Sequence, residues 1–169
     1  VYMGNDTRHD HSFRVPRPDI SAKYGTPNTC NSCHSDKSAQ WAADAVQQHF
    51  GRSPAYHFAD DLVPGSFLNA QSGAHLQKLA ADSAIPNIVR AATIRYMSRL
   101  AEPNYGATLV GYLRDTSAMV RYTALRGLIS FPDNTWLTAA APLLSDPVRA
   151  VRIAAADLFV TLPSNRMPA

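Results

Sequence analysis

The sequence predicts an all-α chain: an irregular N-terminal arm, a helix carrying a cysteine motif, and a short solenoid of about three stacked helix pairs. Three observations predict it. The triplets Ile88-Val89-Arg90, Met119-Val120-Arg121 and Ala150-Val151-Arg152 recur at intervals of 31 residues, which is the signature of a stacked repeat array. Ala39, Ala42, Ala43 and Val46 follow three- and four-residue steps, a helical period. Around the cysteines at 30 and 33, no segment alternates apolar and polar residues as a half-buried strand would.

Residues 1–28 are polar and interrupted by Pro16, Pro18, Gly25 and Pro27, so an irregular arm without a core of its own is expected. Its centre carries His9 and His11 together with Arg8, Arg14 and Arg17. The arm leads into Thr29-Cys30-Asn31-Ser32-Cys33-His34, which contains C-x-x-C-H. At that spacing two thiols can each add to one porphyrin vinyl group while the adjoining imidazole ligates the iron. A thioredoxin-like redox pair would need a βαβ pattern, and a zinc site would need two further soft ligands nearby. The chain has 2 cysteines in all and no such strands. Covalent haem c is therefore expected, attached through Cys30 and Cys33, with His34 as proximal ligand to the iron.

With such a motif beside it, the arm acquires a use. A low-spin haem needs a sixth ligand, for which His11 leads and His9 follows. An iron–imidazole bond would fix an arm that has no apolar periodicity to hold it. Arginines of the arm either reach haem propionates by two-pronged pairing or remain solvated. After His34, Ser35 is expected to cap a helix with Asp36 in its first turn, running to about Phe50 and stopped by Gly51. Trp41 is expected in its packed face and His49 on its surface. Residues 53–73, with Pro54, Pro64, Gly65 and Gly73, read as a linker. There His57, between Tyr56 and Phe58, is the third candidate for the sixth position, and His75 is expected at the exposed start of the following helix.

From residue 74 onward each repeat reads as a short helix, a turn at Asp82, Asp115 or Asp146, and a longer helix starting near the Val-Arg pair. Met97, Leu128 and Phe159 share one equivalent position, Leu100, Phe131 and Leu162 another, and Pro103, Pro132 and Pro163 close the units. One helix pair cannot bury its own apolar stripe, so the units must stack. The repeated arginines are expected to bond aspartates or helix-end carbonyls of a neighbouring unit, and Leu128→Ala to cost more than Arg90→Ala or Arg152→Ala.

The run Arg8-His9-Asp10-His11-Ser12-Phe13-Arg14-Val15-Pro16-Arg17-Pro18-Asp19, then Gly25-Thr26-Pro27-Asn28-Thr29-Cys30-Asn31-Ser32-Cys33-His34, resembles the closing haem segment of bacterial multihaem c-type cytochromes. The resemblance covers about the first fifty residues and continues through Asp36-Lys37-Ser38-Ala39-Gln40-Trp41-Ala42. It implies that the histidine of an H-x-F segment, here His11, supplies a distal haem ligand, and that a helical-repeat region follows the last motif. The later repeats are similar to short HEAT-like units. The resulting organisation is a haem-binding segment at 1–52, a linker at 53–73 and HEAT-like helical repeats at 74–169. This chain carries one C-x-x-C-H where such proteins usually carry several, which suggests part of a larger multihaem protein or redox assembly.

With 46% apolar residues the chain can fill a core, and a net charge of +3 is too weak to argue for nucleic acid as a partner. No run approaches the length of a membrane span. Neither a nucleophile elbow nor a phosphate loop nor a H-E-x-x-H zinc motif occurs. The expected function is electron transfer by a bis-histidine haem c exported to the periplasm or cell exterior, with redox proteins or further haem-bearing subunits as partners. The alternatives are a haem enzyme or sensor with an exchangeable sixth ligand, and a repeat scaffold for protein binding.

Overall fold

The computed structural model describes residues 15–52, 55–100 and 102–163. Among them every regular element is helical, and no helix is long and apolar enough to cross a membrane. The chain divides between Ala55 and Tyr56 into two compact units. His9 and His11 lie outside the described residues.

In the first unit the arm is less irregular than its prolines suggest. Helix α1 spans Pro18–Tyr24, with Pro18 in its first turn and Gly25 closing it in the left-handed region at φ 69°. Proline is tolerated where the amide would be unpaired anyway, and glycine is favoured just past a helix end. The two breakers therefore bound a helix instead of preventing one. It packs on helix α3, Ala39–Phe50, and buries Pro18 and Ser21. Between them lies α2, the five-residue turn Thr29–Cys33. The cap of α3 is Ser38, whose Oγ accepts the Trp41 amide at 3.1 Å. Ser35 does not cap it: His34 ends α2 at φ −94°, ψ 61°, and Ser35 lies in a turn that the Lys37 amide closes on His34 O at 3.0 Å. Gly51 stops α3 as expected.

The second unit begins in the stretch expected to be a linker. Residues Ala59–Ser66 form α4, which packs on α5, Ser72–Ala81. Pro64 lies inside the helix and deletes one intrahelical amide bond, a loss that near the C-terminus shortens the helix without splitting it, and Leu68 at φ 54° then reverses the chain. Apolar burial makes the helix: Phe58 and Leu62 pack against Leu79, Ile85 and Val89. Buried Asp61 ties the pair further by accepting from Tyr56 Oη (2.8 Å), His75 Nδ1 (2.7 Å) and Lys78 Nζ (2.6 Å). Burial opposes the Asp61 charge, but these donors overcome it and lower its pKa. Burial and the hydrogen bond to Asp61 push Tyr56 up to about 12. His75 is thus half-buried and paired, one turn inside α5, because a buried carboxylate requires partners.

Helices α6 (Asn87–Leu100), α7 (Pro103–Tyr112), α8 (Ala118–Leu128), α9 (Asp133–Ala140, continued by a 3-10 turn to Ser145) and α10 (Arg149–Val160) complete three pairs with α5. The prolines at 103 and 132 open the next pair's first helix more than they close the previous one. Met97, Leu128 and Phe159 are all buried in one continuous core, where Trp136 meets Phe159 edge-on at 5.5 Å. Each turn is built alike: Asp82, Asp115 and Asp146 each accept the amide two residues on, at 2.8–2.9 Å.

The repeated arginines join successive pairs into a ladder. Arg90 donates to the Ala80 carbonyl of its own pair and to Asp115 of the next, Nη2 to Oδ2 at 2.6 Å. Arg121 repeats this with the Asp115 carbonyl (2.8 Å) and both oxygens of Asp146 (2.8 and 3.0 Å). Arg152 donates to the carbonyls of Asp146 and Pro147. Both rungs are largely buried. The Arg121 hydrogen bonds lower the Asp146 pKa against its burial; at Asp115 burial is the larger single influence, outweighed by Arg90 and the Ser117 amide together. A carboxylate with a lowered folded pKa stabilises fully above its unfolded value of about 3.9 and loses that contribution as pH falls through the folded value. The urea midpoint of the second unit should therefore hold from pH 7 to 5 and drop below pH 4. Arg121→Ala should flatten that acid limb, and an equally steep drop in the variant would contradict the assignment.

Candidate functional site

Around the cysteines, local hydrogen bonds hold a short, pinned turn. Asn28 caps α2 by accepting the Asn31 amide (3.1 Å), and the two side chains bond each other, Asn28 Nδ2 to Asn31 Oδ1, at 2.7 Å. Asn31 Nδ2 also donates to the carbonyls of His34 (3.3 Å) and Lys37 (2.7 Å). The His34 amide closes the turn on Cys30 O at 2.9 Å. One side chain between the two cysteines therefore fixes both ends of the motif. Removing it in Asn31→Ala deletes several bonds of about 1 kcal/mol each, so amide exchange at His34 and Lys37 should accelerate by about tenfold or more. Unchanged protection would show that the turn is held from elsewhere.

Cys30 and Cys33, three apart on one helical turn, share a side of α2. Both are free thiols, Cys30 half-buried and Cys33 exposed. With His34 they line one wall of an open groove of ≈ 790 Å³, within the range of ligand clefts. Val15, Pro16, Pro18, Ile20 and Pro27 supply apolar walls, and Arg17 lines it too. Asp19 grips the Arg17 guanidinium at 2.8–3.2 Å, and that hydrogen bond lowers the Asp19 pKa. Trp41 is 39% exposed instead of lying in the packed face of α3, and its ring lies 5.0 Å from the His34 ring.

No protein-family model, curated protein or solved structure matches this chain. Its chemistry must be read from the groove itself. Among the described residues no three His, Cys, Asp or Glu side chains converge closely enough to hold a metal ion. A porphyrin requires no such convergence, since the thiols bond to vinyl carbons and only the imidazole meets the metal. The donor set fits that group: two unpaired thiols on one side of a turn, an adjacent imidazole, apolar walls and one guanidinium.

The remaining histidines are placed differently. His49 is exposed at the end of α3. His57 accepts the Ala59 amide at Nδ1 (3.2 Å) and lies against the Phe58 ring at 4.0 Å. A neutral imidazole that accepts at Nδ1 carries its proton on Nε2, so His57 must give up this bond before it could ligate through Nε2. Spacing alone did not single out Asn31, Asp19 or Trp41; of these, Asn31 had one legible signal, an Asn at N-cap position three residues before it.

Proposed function

We propose that this chain binds one haem c through thioethers to Cys30 and Cys33, with His34 as proximal iron ligand, and serves in electron transfer. The observation that carries this reading is the groove in which both thiols, His34, apolar walls and Arg17 meet. Supporting it, the described residues of the first unit bury only Pro18, Ser21 and Ala42, so an apolar prosthetic group would supply the body that such a small unit needs. When bound, the haem would supply one-electron chemistry. The chain's own residues would orient the proximal imidazole, shield the thioethers, and set a potential through ligand identity, burial and the Arg17–Asp19 pair near a propionate. Further support for the wider reading, a haem segment of a multihaem cytochrome followed by HEAT-like repeats and exported from the cytoplasm, comes from the sequence resemblance and the regular helix pairs. Redox proteins or other haem-bearing subunits would be the partners.

The direct test is expression with a haem c maturation system followed by intact mass measurement and a haem stain after denaturation. The mass should rise by one haem that survives acid extraction; haem that extracts, or none, would refute the reading. For the sixth position His11 remains first and His9 second. His11→Ala should turn the ferric spectrum toward high spin and admit carbon monoxide to the ferrous protein. Because α1 is packed on α3, residues 18–24 should stay protease-resistant in this variant, and only the chain before them should become more susceptible. A low-spin His11→Ala protein would move the ligand to another residue.

A further inference from the structure

In the second unit, α6, α8 and α10 pack side by side, and the repeat places their outward side chains in rows. Ile88 and Met119 occupy one equivalent position, Tyr122 and Ile153 the next. These four are 62, 46, 40 and 50% exposed, an apolar stripe that the fold does not use. A groove of ≈ 750 Å³ runs between α6 and α8, floored by small residues including Ala91, Ala92 and Gly127. Three arginines line it, Arg95, Arg99 and Arg126, and no carboxylate does. Arg126 reaches Asp157 of α10 at 3.1 Å. Arg95 and Arg99 are exposed and have no acidic partner among the described residues.

We propose that the α6–α8 groove docks an acidic amphipathic segment of a partner protein, its apolar side chains on Ile88, Met119 and Tyr122 and its carboxylates on Arg95 and Arg99. The apolar stripe supplies an anchor that water disfavours, and the unpaired guanidinium groups supply planar, two-pronged recognition of carboxylates. Small floor residues let a peptide backbone approach closely. A nucleic acid suits this surface poorly: one of the three cations is already neutralised by Asp157, and Tyr122 is the sole aromatic ring in the lining, whereas strand binding needs cation tracks and several stacking rings. The site stands on the second unit alone and does not depend on the haem reading.

The test is a selection of random peptides of about 12 residues displayed on phage against the immobilised full chain, followed by fluorescence anisotropy of the enriched peptides at low and high salt. Enriched sequences should combine two or more Asp or Glu with Leu, Ile or Phe. Their Kd should rise about tenfold or more on R95E/R99E, and several-fold on Met119→Ser, with circular dichroism unchanged because all three positions are exposed. No enrichment over a blank, enriched peptides without carboxylates, or affinity indifferent to R95E/R99E would each overturn the proposal. So would tighter binding of a single-stranded oligonucleotide or of phosphatidylglycerol vesicles lost in the same double variant, since the groove would then be a phosphate site.

Discussion

Arg121→Ala should destabilise the second unit by about 3–5 kcal/mol, since breaking one partner of a buried pair leaves the other charged and unpaired. Asp146 is buried and accepts two bonds from Arg121, whose side chain is 13% exposed. The same substitution also orphans the Asp115 carbonyl. Arg90→Ala belongs in the same range, because Arg90 is itself buried and holds Asp115. Leu128→Ala, at a fully buried position, should cost about 2–5 kcal/mol through its cavity. Arg152→Ala, which loses bonds to carbonyls but strands no carboxylate, should cost about 1–2 kcal/mol. Urea titration of the four variants at pH 7 checks the order. If Arg90→Ala and Arg121→Ala cost no more than Arg152→Ala, the rungs contribute as little as exposed pairs do, and the ladder is decoration on an apolar core.

Replacing Cys30 and Cys33 together with Ala should abolish acid-resistant haem retention, since no other thiol exists in the chain to form a thioether. Each single replacement leaves at most one bond and should lower holoprotein yield sharply. His34→Ala should keep the thioethers while losing low-spin absorption, because attachment and ligation use different atoms. The double variant should also alter the two units unequally. The first buries little of its own, so its resistance to limited proteolysis should fall in the haem-free form. Thermal unfolding of the second, with its continuous core from Leu76 to Phe159, should not move. Acid-resistant haem in the double variant would refute the attachment sites.

Much of the repeat region was legible in the sequence, because stacking forces each pair to solve the same problem with the same residues. The 31-residue interval located three second helices and the buried Met97, Leu128 and Phe159, and an Asp ahead of each Val-Arg pair marked the turns. Periodicity could not say how deeply an arginine lies, so the sequence ranks Arg90 with Arg152 below a core leucine, whereas Arg90 and Arg121 are rungs of a largely buried ladder. Burial is a property of what packs across a residue, and the carboxylates that cover these two come from 25 residues away. Local breaker signals misled for a related reason. Pro18 opens and Gly25 ends a helix that packs on α3, and Pro64 sits in a helix that Phe58 and Leu62 hold down.

At the candidate site the sequence by itself determined the chemistry available: two thiols, an imidazole and their spacing are covalent facts, independent of folding. Only the tertiary structure decided how they are presented. Ser35 and Ser38 are equally good caps in isolation, and the fold uses Ser38, leaving Ser35 in a turn that the Lys37 amide closes on His34 O. The Asn31 side chain holds that turn by donating to the carbonyls of His34 and Lys37. Trp41 then lies against the imidazole, and both thiols face an open groove that residues of α1 also line. Backbone groups must find partners in the fold, and which partners they find depends on segments brought together only when the chain has packed.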